Sequence, residues 1–208
     1  MTLQTLSKVS AKDLSFSGFT PEQFNTEHVS RRSVMRAGGV VATAMALWWP
    51  RDSSASQISN FARGREITLV GAHTGEKFKG EYWYDGRYSN DAFHEIKKFM
   101  RDHRTNEIFP IDPRLIDILF VIQKRLDKGP FELYSGYRSP ATNARLRHET
   151  SGVARNSYHM TGQAADVGLR NGSTRDIRAQ ALAIQAGGVG FYSRSSFVHI
   201  DTGRFRTW

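Results

Sequence analysis

The residues best suited to chemistry lie between Ser157 and Asp166, in the stretch Ser-Tyr-His-Met-Thr-Gly-Gln-Ala-Ala-Asp. His159 and Asp166 are seven residues apart, and Gly162 between them allows the chain to reverse tightly. Because Asp166 falls in a predicted strand, a loop imidazole and a strand carboxylate can meet at one point. Such a pair indicates a metal site only if a third ligand joins it.

A third ligand is available in residues 197–201, which read as a strand. The two-residue period of a strand places His199 and Asp201 on the same face. The ligand set His159, Asp166 and His199 is typical of zinc, one ion per chain, and leaves a coordination position open for water. In such a site zinc lowers the pKa of water from about 15.7 to about 7 and polarises a carbonyl, which is the chemistry of peptide hydrolysis.

These residues resemble the LAS-type metallopeptidase superfamily, which joins D-alanyl-D-alanine carboxypeptidases, lysostaphin-type enzymes and the hedgehog amino-terminal domain. The pattern of that superfamily is Ser-x-His-x-x-Gly-x-Ala-x-Asp followed by a distant His. This chain matches it with Ser157, His159, Gly162, Ala164, Asp166 and His199.

More narrowly, residues 65–208 resemble the YcbK-like murein endopeptidases. The matching stretches are His-Thr-Gly-Glu from residue 73, Arg-Asp-His from 101, Ser-Gly-Tyr-Arg-Ser from 135, Gly-Gly-Val-Gly from 187 and Val-His-Ile-Asp-Thr-Gly-x-x-Arg-x-Trp from 198. The resemblance implies a monomeric zinc enzyme that cuts peptide cross-links in peptidoglycan and binds its peptide stems. Two alternatives stay open: a cell-wall carboxypeptidase, and a non-catalytic wall-binding module with structural zinc.

The proton acceptor departs from the pattern of the relatives, many of which carry a Glu, Asp or His two or three residues before the last ligand. Here those positions hold Ser196 and Phe197. Asp201 is the nearest carboxylate that can act as general base, and its alternative role is to orient an imidazole or cap the strand end. His148 is another candidate base. The resemblance also implies that Arg138 faces the site and holds a substrate carboxylate or the tetrahedral oxyanion.

The elements around these residues alternate irregularly between strands and helices. Strands are predicted at residues 66–70, 82–84, 131–134, 164–167, 189–192 and 197–201, and helices at 90–101, 112–128, 139–148 and 173–186. The order lacks the βαβ alternation of a parallel sheet, which favours an α+β fold. We therefore expect a small antiparallel sheet that carries the zinc site and is flanked by helices.

The first 55 residues read as an export signal of the twin-arginine type with a long leader. Arg31 and Arg32 precede an uncharged apolar run at residues 37–49, which is too short to span a membrane, and small residues allow cleavage after Ala55. We expect residues 56–65 to be a linker and 66–208 the metallopeptidase domain. The twin-arginine machinery would then deliver the protein to the periplasm, with membrane contact only through an uncleaved leader.

Composition sets the remaining limits on the 208-residue chain, whose formal charge is +9. The absence of cysteine excludes a thiol nucleophile, a thiolate metal site and any disulfide. We find no nucleic-acid-binding motif, so no nucleic-acid partner is expected. The other histidines are expected to be surface or capping residues, namely His28, His73, His94, His103 and His148.

Two further sets of residues near the motif have a functional and a structural interpretation. The arginines can grip anionic peptide stems or form a solvated helix face, and the second interpretation is favoured for Arg145, Arg147 and Arg155. The aromatic residues can line a groove or belong to the core, and the core is favoured for Tyr134, Tyr137, Phe191 and Tyr192.

Overall fold

The computed structural model describes residues 64–170 and 172–208. The twin-arginine motif, the predicted cleavage position, His28 and most of the predicted linker lie outside these residues. The described helices are α1 Asn90–Phe99, α2 Pro113–Leu126, α3 Pro140–Glu149 and α4 Thr174–Ile184. The described strands are β1 Gly64–Gly71, β2 Lys77–Tyr84, β3 Arg87–Tyr88, β4 Phe131–Ser135, β5 Ala164–Leu169, β6 Gly188–Tyr192, β7 Phe197–Asp201 and β8 Arg206–Thr207.

All eight described strands belong to one sheet, in the order β3-β2-β1-β4-β5-β7-β6-β8. The pairs β1–β4 and β6–β8 are parallel, and the other neighbours are antiparallel. The predicted α+β class is confirmed. The sheet is larger than expected. It is also mixed, because the segment between β1 and β4, which contains β2, β3 and two helices, returns the chain so that β4 runs parallel to β1.

Helix α2 forms the centre of the core on one face of the sheet. Asp112 caps its first turn by accepting a hydrogen bond from the amide of Arg114, as its sequence predicts. Leu115, Ile116, Leu119 and Ile122 are fully buried. The helix ends at Leu126, before the predicted boundary, since Asp127 takes a left-handed conformation with φ 47°.

The same helix cap also fastens the loops that carry the candidate site. The Asp112 amide donates to the carbonyl of Gly162 at 3.0 Å. The Thr202 hydroxyl donates to the Asp112 carboxylate at 2.8 Å. The loop before β5 and the loop after β7 are therefore tied to the rigid start of α2.

None of the helices within residues 64–170 and 172–208 combines the length and the apolar character needed to cross a lipid bilayer.

Candidate metal centre

Strand register brings the two strand ligands side by side. Asp166 of β5 pairs with His199 of β7 on one side and with Ser135 of β4 on the other. Paired residues of antiparallel strands project from the same face, so the three side chains form a row across the sheet. Asp166 and His199 are buried.

His159 reaches the same place from a 3-10 turn, Tyr158–Thr161, that Ser157 caps through the His159 amide. Gly162 then takes a left-handed conformation with φ 66°, and the chain turns directly into β5. A side chain at this glycine would collide with the carbonyl of Pro110. The tight reversal predicted from the sequence is thus required both by the backbone conformation and by the close approach of another loop.

Three potential ligand atoms converge, with no other residue between them. His199 Nδ1 lies 2.9 Å from Asp166 Oδ1, and His159 Nε2 lies 3.2 Å from each of those two atoms. Zinc bonds of about 2.0–2.1 Å in a tetrahedral site separate neighbouring ligand atoms by about 3.3 Å. The observed spacing therefore fits a zinc ion with small adjustments of the side chains.

Hydrogen bonds on the far side of each imidazole make the converging nitrogen the lone-pair atom in the neutral form of each ring. His159 Nδ1 donates to the carbonyl of Gly136 at 2.7 Å, and His199 Nε2 donates to Asp201 Oδ2 at 3.1 Å. Both partners can only accept a hydrogen bond, so the ring nitrogen that faces each partner carries the proton. The opposite nitrogen of the neutral ring then presents its lone pair. This pattern of outer partners is typical of histidine ligands to metals.

The protonation behaviour of the cluster also shows a preference for a cation. Burial alone would raise the pKa of Asp166, but its interactions with the two imidazoles outweigh burial and lower it. Burial alone would lower the pKa of His199, whereas its hydrogen bonds to Asp166 and Asp201 raise it to about 9. Burial lowers the pKa of His159 despite the neighbouring Asp166. Positive charge at the point of convergence is therefore favoured.

Asp201 contacts the His199 ring, as its place on the same strand face predicts. Its side chain is fully buried on the far side of the His199 ring, away from the converging ligand atoms. Both of its oxygens are occupied: Arg206 donates to them at 2.7 and 3.0 Å, and the amides of Gly188 and Gly203 donate to Oδ1. This geometry favours the alternative role, orientation of the His199 imidazole, and the general-base role of Asp201 stays a prediction.

Arg138 lies beside the cluster, as the resemblance implied. Its Nη2 is 3.4 Å from Asp166 Oδ2 and 3.3 Å from Ser135 Oγ, and the side chain is 11% exposed. Burial lowers the pKa of the guanidinium, and the charge of Asp166 opposes that effect. Its Nε is buried and has no hydrogen-bond partner in the described part of the chain. A buried donor without a partner is rare in folded proteins and is a common feature of functional sites.

Aromatic rings border the cluster on the same face of the sheet. The half-exposed Trp208 ring lies 5.3 Å from the ring of His199, and its Nε1 donates to the hydroxyl of Tyr192 at 2.8 Å. Tyr192 stacks on Phe197, which in turn contacts Tyr134. Tyr134 and Tyr192 are therefore rim residues and not core.

The remaining sequence candidates lie away from the cluster. Tyr137 is buried and stacks on Phe109, as expected of a core residue. Phe191 packs under the guanidinium of Arg178. His148 is exposed near the end of α3, as are the three arginines proposed to form a solvated surface, Arg145, Arg147 and Arg155.

Sequence reasoning missed two features of this region. His73 and His103, from different loops, stack on each other, a pairing that their expected role as surface or capping residues did not predict. Arg206 was quoted in no functional role, yet its guanidinium pairs with Asp201 and lies over the rings of Tyr158 and Trp208. The spacing Asp-x-x-x-x-Arg gives no signal for this pair, because the turn after β7 determines it.

Comparison with known proteins agrees with the geometry. Residues 59–208 match the protein family described as peptidoglycan L,D-endopeptidase MepK. The Escherichia coli K12 protein of that name is 44% identical over 181 residues, which are 86% of this chain and 97% of the relative. The probable peptidoglycan L,D-endopeptidase MepK of Haemophilus influenzae is 37% identical over 146 residues, 69% of this chain and 78% of the relative.

Among solved structures, the Serratia marcescens L-Ala D-Glu endopeptidase ChiX matches with 22% identity and a TM-score of 0.33, over 44% of this chain and 80% of that chain. The fold and the His-Asp-His cluster are those of a LAS-type metallopeptidase. Within that class, the chain belongs to the peptidoglycan L,D-endopeptidase MepK family.

Proposed function

We propose that this chain is an exported, zinc-dependent peptidoglycan endopeptidase that hydrolyses L,D peptide cross-links during growth or remodelling of the wall. The observation that carries the proposal is the convergence of His159 Nε2, Asp166 Oδ1 and His199 Nδ1 within 3.2 Å of one another. The names of the relatives support the choice of substrate and bond.

The protein residues divide the work around the metal position. His159, Asp166 and His199 would hold one zinc ion, which supplies Lewis-acid activation of water and of the amide carbonyl. Asp201 holds the His199 ring in the tautomer that directs Nδ1 to the metal position. Arg138 offers its free Nε and remaining N–H groups to the carbonyl oxygen as negative charge develops there, or to a substrate carboxylate.

The proposal extends to the parts of the chain outside the described residues. Residues 1–55 act as a twin-arginine signal and residues 56–65 as a linker, and the domain acts in the periplasm. The run of small residues before residue 56 and the paired arginines support this assignment. The substrate lies outside the cytoplasmic membrane, which is consistent with export.

The test is a digestion of purified muropeptides joined by L,D or D,D cross-links, with the severed bond identified by mass. We expect about one zinc per chain and release of L,D-linked stems, lost with a chelator and restored by zinc. His159→Ala should abolish both zinc binding and cleavage, whereas His94→Ala, an exposed position on α1, should change neither. Intact substrate with zinc fully bound would contradict the enzyme assignment and favour the wall-binding module. Cleavage confined to terminal residues would favour a carboxypeptidase.

A further inference from the structure

A small surface depression adjoins the metal centre, and the proposed function does not use it. Its wall includes His73, His103, Tyr134, Ser135 and Gly136. The last two residues also belong to the metal centre: the Ser135 hydroxyl accepts a hydrogen bond from Arg138, and the Gly136 carbonyl holds the His159 ring. The depression and the cluster therefore share one wall.

The two histidines are brought together from distant parts of the chain. His73 belongs to the turn between β1 and β2, and His103 to the loop that follows α1. Their ring centroids are 4.8 Å apart with 29° between the planes, and Tyr134 meets His73 edge-on. The stack thus presents two imidazole edges side by side above a strand that leads directly to the metal centre.

Both loops are held in place by charged groups that do not involve the rings. Arg101 donates to both carboxylate oxygens of Glu76 at 3.0 and 3.1 Å, which clamps the loop after α1 to the β1–β2 turn. Asp102 is buried and accepts from the amides of Ser139 and Arg104. The imidazoles are therefore preorganised, and ligand binding need not order them.

The ring nitrogens of His73 and His103 have no hydrogen-bond partner within residues 64–170 and 172–208, in contrast to those of the metal centre. Burial and the charge of Arg104 lower the pKa of His103. A neutral imidazole carries one N–H donor, so the stack offers two donors on adjacent edges.

We propose that the depression formed by His73, His103 and Tyr134 is a subsite that binds a free carboxylate of a peptidoglycan stem next to the scissile bond. This inference rests on the proposed function and adds the substrate group that the enzyme recognises. The donors are unpaired, and the three carboxylates around the depression are already engaged: Glu76 pairs with Arg101, Glu132 accepts from Arg170, and Asp102 accepts from two backbone amides. Arg104 adds positive charge at His103, and Arg138 donates to Ser135 in the shared wall, which suits an anionic group and not a neutral sugar.

Binding of an uncleavable ligand tests the subsite without requiring turnover. The probes are a single, uncross-linked stem tetrapeptide with free carboxylates and the same peptide with those groups amidated. They are titrated calorimetrically into the zinc-loaded full chain. His73→Phe and His103→Phe keep an aromatic ring but remove the donor. Each should raise the Kd of the free peptide about tenfold or more, since each removes one hydrogen bond to a charged group.

The Kd of the amidated peptide for the unaltered protein should equal the Kd of the free peptide for the two histidine variants. The variants should show no further rise in the Kd of the amidated peptide. His94→Phe is the matched control, because His94 is exposed on α1 and should leave both affinities unchanged. The thermal midpoints of all three variants should stay within a few degrees of that of the unaltered chain.

Three results would overturn the inference. In the first, the unaltered chain binds the free and the amidated peptide with equal affinity. In the second, the histidine variants lose affinity for both peptides by the same factor. The third is two zinc ions bound per chain with one lost in the variants, which would make the pair a second metal site. Cleavage of cross-links without carboxylate dependence would refute the subsite alone, whereas carboxylate-dependent binding without cleavage would refute the proposed function alone.

Discussion

Replacing Asp201 by Asn distinguishes a carboxylate that orients a metal ligand from one that takes a proton. The carboxylate is fully buried and fixes His199 through one hydrogen bond of 3.1 Å, so water has no access to replace it. Asn has nearly the same size but lacks the charge. In one orientation its amide N–H₂ would oppose the N–H of His199, which favours the wrong tautomer.

The expected magnitude follows from the bond that is lost. A charge-assisted hydrogen bond contributes about 1.5–3 kcal/mol, and loss of an outer partner of a metal ligand lowers metal affinity about 10- to 100-fold. We therefore expect the zinc Kd of Asp201→Asn to rise by that factor, measured by competition with a chelator of known affinity. Arg206→Gln keeps the Asp201 carboxylate and its two backbone amide donors, so the zinc Kd of this variant should rise less, by about three- to tenfold.

The general-base role predicts the opposite pattern. If Asp201 takes the proton, Asp201→Asn retains normal zinc affinity, loses turnover at saturating zinc, and loses the acid limb of the pH–rate profile. That combination would refute the orienting role. Recovery of most turnover at high zinc concentration would support it, because the defect then lies in holding the metal.

Further predictions concern Arg138, Asp102 and Gly162. Arg138→Lys should lower kcat/KM about 10- to 100-fold while zinc affinity stays within about threefold. The reason is that Lys lacks the planar guanidinium whose N–H groups can meet an oxyanion together. A parallel loss of zinc affinity would contradict this role. Burial would raise the pKa of Asp102, but its hydrogen bonds lower it to about 2, below the ordinary value. The ionised Asp102 therefore stabilises the folded state fully above about pH 4, and this contribution is lost as the pH falls towards 2. Asp102→Asn should lower the free energy of unfolding by about 2 kcal/mol at pH 7, measured by urea unfolding of the zinc-free protein. The difference from the unaltered chain should shrink at pH 3, and a constant difference would contradict the linkage. Gly162→Ala should lower the urea midpoint of unfolding more than Gly75→Ala does. Both glycines have positive φ, but only at Gly162 would the added methyl group meet another backbone segment, the carbonyl of Pro110. Equal losses would show that the contact with Pro110 is unimportant.

Local patterns were sufficient to predict most of the elements. Alternating apolar residues in β1, the caps of α2 and the strand at residues 197–201 are all present in the structure. The short strands β3 and β8 were not predicted, since two residues carry no periodicity. The parallel pairing of β1 with β4 depends on which strands meet across the sheet, and sequence spacing does not report that.

The convergence of His159, Asp166 and His199 was predictable because their residue types are specific and the strand period fixes the face on which the strand residues lie. The position of the Asp201 carboxylate relative to the His199 ring was not, because a same-face carboxylate can lie on either side of an imidazole. Only the position of Arg206 and the burial of the carboxylate decide between them. The pairing of His73 with His103 was hidden for a similar reason: the residues are 30 positions apart, and an ion pair between other residues brings their loops together.

The pairing of Asp201 with Arg206 has a consequence for the time at which the centre can form. During synthesis His159, Asp166 and His199 leave the ribosome before the arginine that neutralises Asp201 and the tryptophan that packs beside His199. Until those residues are present, the Asp201 carboxylate lacks the guanidinium that pairs with it, and the His199 ring lacks its neighbouring indole. The side chains around His199 are therefore complete only after β8 and Trp208 have been synthesised and β8 has paired with β6.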